Sequence, residues 1–295
     1  MRKRILTVVF ALFSVVMLYA GEPSIRDTMP ANVSIMSYNI KMLPRGATFI
    51  KHHPVIRSRV LPEVLKEENS DVIVFQEAFD GKAMRIMRRR LKEDYPYIAG
   101  WKNRKVISYK RAGGVIMFSK YPMKELESIA YTKCKGIDCM ANKGSLLVEV
   151  NHPKHKFQLL GTHMQAGGGK DIKESQYKEA GDLLKRHVQN GVPQFAAGDF
   201  NTHKNDPDLY PKLLKELDAT DGDIDSELKY TSDHMLNDMD SYDPKRRNVI
   251  DYVFYKSNGV AARKSSRKVI AFEKPWSKKH KSLSDHNAIV LKMEW

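Results

Sequence analysis

Cysteine is nearly missing from this chain. Its 295 residues include only Cys134 and Cys139, five positions apart. Without a second pair, a cysteine-ligated zinc site is not expected. The spacing reads instead as a small disulfide loop, with two free buried thiols as the alternative. Closing so short a loop stabilises by about 2 kcal/mol. Internal repeats, low-complexity tracts and linkers of biased composition are also lacking, and 42% of the residues are hydrophobic, so one globular domain is expected. After residue 20 no run is long and apolar enough to cross a bilayer. Acids are in deficit, 35 Asp and Glu against 50 Lys and Arg, a net charge of +15. Such a balance favours nucleic acid, phospholipid surfaces or phosphate substrates without choosing among them.

The acids that do occur are gathered. Glu216 to Asp243 holds ten, against the single base Lys229. Asp221-Gly222-Asp223-Ile224-Asp225 lacks the spacing of an EF-hand and its closing glutamate, so a solvated acidic loop is expected. Bases gather in Lys82–Lys92, an amphipathic helix with Met84, Met87 and Leu91 inward, and again between Lys256 and Lys281. At the start of the chain Arg2, Lys3 and Arg4 precede the apolar run Ile5 to Leu18, with Ala20-Gly21 beyond it. That is the pattern of an export leader over residues 1–20, leaving residues 21–295 as one secreted domain. Removing those three bases leaves +15 less three, or +12. Export also favours the bonded state of the cysteine pair.

Chemistry enters where strands end. Val192 to Ala197 reads as a buried strand running into Gly198-Asp199-Phe200-Asn201. Side chains two apart point the same way, so Asp199 and Asn201 project together while Phe200 turns to the core. Asp71-Val72-Ile73-Val74-Phe75 is a near-continuous apolar run, the mark of a strand covered on both faces. It delivers Gln76 and Glu77, and a glutamate there needs a cation or an ion pair. Val33 to Asn39 ends on Asn39, and Phe157 to His163 on His163. Lys143 stands before the strand Ser145–Val150, within reach of a phosphate. Val249 to Tyr255 embeds Asp251, a carboxylate that requires a partner, and Ser284-Asp285-His286 leads into the closing strand Ala288–Met293. Between them, helices are expected over Pro54–Glu68, with Ile56, Val60, Val64 and Leu65 on one face, and over Ile172–Gln189, with Tyr177, Ala180, Leu184 and Val188.

If these strand ends meet at one edge, the residue types describe metal-assisted hydrolysis of a phosphodiester. Glu77 supplies a hard oxygen ligand to Mg²⁺, and Asn39 helps to hold the ion. His286 takes a proton from the attacking water, and Asp251 orients its ring. Asp199 and Asn201 position water and phosphate or hold a second ion. His163 neutralises charge in the transition state.

Ser37-Tyr38-Asn39-Ile40, Phe75-Gln76-Glu77, Gly161-Thr162-His163, Gly198-Asp199-Phe200-Asn201, Ile250-Asp251-Tyr252-Val253 and Ser284-Asp285-His286 resemble, in order, the motifs of the endonuclease/exonuclease/phosphatase (DNase I-like) superfamily. The resemblance implies an α/β fold, a four-layer α/β/β/α sandwich of two packed mixed sheets, and a Mg²⁺-dependent phosphoesterase, with Mn²⁺ or Co²⁺ as substitutes. Asn142-Lys143-Gly144 just after the cysteine pair, His163-Met164-Gln165-Ala166 and the export leader resemble the secreted neutral sphingomyelinases. That branch implies hydrolysis of sphingomyelin to ceramide and phosphocholine at an anionic membrane surface, by a monomer that does not act on nucleic acid. Secreted bacterial members carry an exposed aromatic hairpin before the final histidine. Here that region offers Phe272 and Trp276 among lysines, so docking through anionic lipid is expected instead. A secreted nuclease of the same fold, an inositol-phosphate phosphatase and a catalytically idle lipid-binding protein are the competing readings. The basic charge suits the first, whereas a binding module has no need of Asp251 behind His286.

Overall fold

A computed structural model describes residues 32–44, 52–100 and 114–295. The expected export leader lies outside the described residues, as does Gly113. The chain runs β1 (Asn32–Met42), α1 (Pro54–Glu68), β2 (Val72–Ala78), α2 (Gly81–Leu91), β3 (Tyr97–Ala99), β4 (Ile116–Ser119) and β5 (Met123–Ala130). A 3-10 turn at Gly136–Ala141 leads to β6 (Gly144–Val150), β7 (Phe157–His163), α3 (Lys170–Arg186), β8 (Gln194–Asp199) and α4 (Leu209–Leu217). After the short β9 (Ser232–Asp233) and β10 (Arg247–Asn248) come β11 (Asp251–Lys256), β12 (Lys264–Ile270) and β13 (Ala288–Glu294).

One sheet has the order β12-β13-β1-β2-β4-β3 and the other β11-β8-β7-β6-β5. Each is mixed: β1–β2 and β7–β8 are parallel, and the remaining pairs are antiparallel. Alternation along the strands assigns the layers. In β2, Val72 and Val74 face the second sheet, where Phe157, Leu159 and Phe195 meet them. Ile73 and Phe75 point the other way, onto Leu61 and Leu65 of α1 and Met84 and Met87 of α2. On the outer face of the second sheet Leu160, Ala196 and Phe254 pack on Tyr177 and Leu184 of α3 and Leu213 of α4. The result is the four-layer α/β/β/α sandwich, with every central strand covered on both faces. That cover is why the strands read as unbroken apolar runs.

Three local expectations are corrected. In α1 the buried face is Arg57, Leu61 and Leu65, and Ile56 is exposed, because the helix presents a guanidinium to the sheet. The helix also runs on through Pro62, which is buried. In α3 the last turn closes at Arg186, so Val188 lies beyond it and is exposed. The acidic stretch is not a simple solvated loop, because the half-buried Asp221 pairs with Arg267 at 3.3 Å and the buried Asp233 with Arg247 at 2.9 Å.

Candidate active site

Register lines up the polar strand ends. Gly144 pairs with His163, His163 with Asp199, and Asp199 with Asp251, so one row crosses β6, β7, β8 and β11. The facing row comes from β1 and β2, where Asn39 pairs with Gln76 and Glu77 follows. Asn39 joins the rows. Its Nδ2 donates to Glu77 Oε1 at 3.2 Å and to Asp199 Oδ2 at 3.1 Å. Its Oδ1 accepts from the Lys41 amide. In this orientation Asn39 offers N–H to both carboxylates and bridges them.

The backbone is strained where these side chains emerge. Lys41, Glu77 and Asn201 have φ of 44°, 56° and 50°. For side chains other than glycine the left-handed region costs about 1–2 kcal/mol, and such strain concentrates at functional sites. At Asn201 it lets Oδ1 of Asp199 accept the Asn201 amide at 2.9 Å while the Asn201 Nδ2 donates to Met164 O at 3.0 Å. The amide oxygen of Asn201 is then the atom available to a cation or phosphate. Phe200, between them, is buried in the outer core as expected.

His286 Nδ1 donates to Asp251 Oδ2 at 2.9 Å, and its Nε2 lies 3.9 Å from Asp199 Oδ2. Asp251 is fully buried, and its amide donates to Thr231 Oγ1. Ligand atoms of Asp199, Asp251 and His286 fall within 4.8 Å of one another. Burial pushes the His286 imidazole down, but the charge of Asp251 and the hydrogen bond to it, with Asp199 and Asp285, hold it well above its ordinary value. Burial and the Asp251 charge push Asp199 up to about 7. Burial and Asp285 raise Glu77 as well. Carboxylates driven towards protonation in this way are relieved by a divalent cation. The available donors, Glu77, Asp199 and the amide oxygens of Asn39 and Asn201, are hard oxygens of the kind Mg²⁺ takes.

His163 Nε2 accepts from Lys143 Nζ at 2.9 Å and lies 3.5 Å from Asp199 Oδ2. Lys143 is buried, and its ammonium also serves Met164 O and Asp138. It therefore stands behind His163, not open to the cleft as a lysine awaiting phosphate would be. The aromatic pair is likewise turned inward. Phe272 is buried against Tyr38. Trp276 stacks on His280 at 5.0 Å and donates to Ser282 O.

Sequence reasoning missed three side chains around the cluster. Lys41 is ion-paired with Asp285 and lies 3.5 Å from Asp240. Lys173 reaches Asn201 O from the first turn of α3. Arg57, fully buried, donates to the carbonyls of Ile40, Lys41, His52 and Leu283 and so ties the end of β1 to the segment carrying His286. Lys41 is discoverable as a neighbour of Asn39, whereas an arginine in a helix reads as surface.

Two mixed sheets within helical layers, with acids, amides and histidines gathered on their strand ends, define the architecture of a phosphoester-cleaving sandwich. Residues 36–286 match the Endonuclease/Exonuclease/phosphatase family, and the chain belongs to it. A phospholipase C of Staphylococcus aureus is 26% identical over 268 residues, covering 83% of this chain and 80% of that protein. Sphingomyelinase C of Listeria ivanovii is 25% identical over 293 residues, covering 90% and 87%. Among solved structures, a beta toxin of S. aureus with bound magnesium ions superposes with a TM-score of 0.75 at 22% identity, covering 88% of this chain and 99% of that one. Sphingomyelinase C from Streptomyces griseocarneus gives 0.76 at 21%, covering 89% and 99%.

Proposed function

We propose that the protein is a Mg²⁺-dependent sphingomyelin phosphodiesterase, releasing phosphocholine and leaving ceramide. The observation that carries this reading is the 2.9 Å Asp251–His286 pair facing Asp199 inside a cluster that also holds Glu77, Asn201 and His163. Relatives named sphingomyelinase C and phospholipase C, of matching length, support the substrate class. Residues 1–20 act as an export leader and residues 21–295 as the secreted, monomeric catalytic unit.

Glu77 and Asp199, with the amide oxygens of Asn39 and Asn201, would hold the metal. When bound, it supplies Lewis-acid polarisation of the phosphoryl oxygens and charge that favours an attacking hydroxide. In its neutral form the His286 ring donates Nδ1–H to Asp251, which leaves Nε2 as the nitrogen that receives the proton of the attacking water. Asn39 sets the spacing of Glu77 and Asp199 through its two N–H bonds. His163, backed by Lys143, places positive character beside the phosphoryl group as negative charge develops there.

The test runs sphingomyelin vesicles, phosphatidylcholine vesicles and plasmid DNA side by side in Mg²⁺, with His286→Ala as the contaminant control. Phosphocholine should appear fastest from sphingomyelin. Metal-dependent DNA nicking without phosphocholine release would replace this reading with the nuclease.

A further inference from the structure

The side chains that the aromatic region fails to expose are found elsewhere. Ile137 is 82% exposed and Met140 75%, both on the 3-10 turn closed by the Cys134–Cys139 bridge. No residue of that turn is buried. Its position is set by polar and covalent ties: the disulfide, the Asp138–Lys143 ion pair at 3.3 Å, and Asp138 accepting from the Ala166 amide at 2.8 Å. Ile137 and Met140 therefore gain nothing from folding, yet the turn holds them out in water beside Lys143 and His163.

A second exposed set stands on the opposite flank. Met235 and Leu236 are 42% and 51% exposed, and Tyr242 is 70% exposed, on the loop between β9 and β10. This loop is fastened to the strand end that carries His286. Asn237 donates to Ser284 O at 2.6 Å, Asp240 pairs with Lys41 at 3.5 Å, and Ser232 bridges to His286. Each apolar group is thus tied to a different side of the cluster, one through His163 and one through His286. Exposed lysines and arginines accompany both, Lys133 and Lys135 on the first side and Lys245 and Arg246 on the second.

We propose that these two loops form a bipartite docking surface for a phospholipid bilayer, with Ile137 and Met140 on one side of the cleft and Met235, Leu236 and Tyr242 on the other entering the interface. The inference rests on the sphingomyelinase reading for its choice of partner. The apolar side chains match the hydrocarbon layer of a bilayer, and Lys133 and Lys135 on the first turn match its anionic surface. The second loop, with Asp238, Asp240 and Asp243 against Lys245 and Arg246, engages through its apolar side chains. Fixing them to the two halves of the site brings the cleft to the interface. The short bridge keeps the first pair presented without a core to hold it.

The experiment measures vesicle binding in excess chelator, where no turnover can disturb the lipid. Sphingomyelin vesicles with and without anionic lipid are sedimented with the wild-type protein, with Ile137→Ser/Met140→Ser, with Met235→Ser/Leu236→Ser, and with all four changes combined. Each pair should weaken binding, and the four together by about tenfold or more. The deficit should persist in about 1 M salt, where the screening length of ~3 Å removes the charge contribution. Hydrolysis of a water-soluble phosphocholine ester, assayed in Mg²⁺, should stay within about twofold of wild type, since none of the four touches the catalytic cluster. Unchanged vesicle affinity in the fourfold variant, or equal loss on the soluble ester, overturns the proposal. A wild-type protein that binds vesicles through these loops but releases no phosphocholine would sink the substrate assignment and leave the docking surface standing.

Discussion

Arg57 concentrates more structural consequence than any side chain that touches the cleft. A guanidinium has five N–H donors in a fixed fork, and here they satisfy four backbone carbonyls from three segments. Burial pushes it down to about 10, still charged at neutral pH. Arg57→Met should cost about 3–5 kcal/mol, since several buried acceptors lose their donors at once. Urea unfolding measures that loss. Arg57→Lys should recover only part of it, because an ammonium cannot span the same carbonyls. At His286 the expectation concerns chemistry. His286→Ala should lower turnover by several orders of magnitude with folding intact, and Asp251→Asn should move in the same direction. An NMR titration in chelator should find the wild-type imidazole well above its ordinary value. Asp251→Asn removes the negative charge that does most to raise it and leaves burial, which lowers it, so the titration should shift down. A midpoint unmoved by Asp251→Asn would mean that Asp251 does not set the charge of the ring.

Two glycines separate stability from activity at the level of paired elements. An added Cβ at Gly198 would stand 2.2 Å from the Thr162 carbonyl oxygen, between β7 and β8 and one residue from Asp199. At Gly181 it would stand 2.1 Å from the Glu216 carbonyl, between α3 and α4 and remote from the site. Both alanine variants should be destabilised by about 1–3 kcal/mol through overpacking. Only Gly198→Ala should also lower turnover in the fraction that remains folded. Equal turnover in the two variants would show that the β7–β8 spacing does not govern the cluster. The same elements show what the amino-acid order makes legible. The Val72–Phe75 run reveals a strand because both its faces are covered, and Glu77 stands out because nothing in such a strand wants a carboxylate. The face of α1 misleads for the converse reason. Its inward residue is Arg57, whose fitness depends on carbonyls 16, 17 and 226 positions away. No helical spacing carries that information. The acidic stretch defeats pattern reading similarly, since the arginines that neutralise Asp221 and Asp233 come from β12 and β10.

For the molecule as a whole, hydrolysis should require a divalent ion. Chelator should abolish activity and Mg²⁺ restore it, and Glu77→Gln should raise the Mg²⁺ concentration needed for half-maximal rate or stop turnover. Full activity in excess chelator would end the metal-assisted reading. Material collected outside the producing cell should begin near Gly21 or Glu22 and contain no free thiol, checked by N-terminal sequencing and thiol counting. An intact Met1 would defeat the export leader.

The amide of Asn39 has a mechanical meaning as well. It belongs to one sheet, while Asp199, which it grips, belongs to the other. The two ladders meet mostly through apolar side chains such as Val74 and Phe195, and Arg267 of β12 adds a second polar tie by donating to Val253 O of β11. The gap between Glu77 and Asp199 is therefore a gauge of how one sheet sits on the other. A volume change deep in the sandwich, such as Val74→Ala, should slide the ladders by a fraction of an ångström and be read at the strand ends as weaker ion affinity. Thermal unfolding would record only the lost methyl groups, so ion titration should prove the more sensitive probe of how well this core is packed.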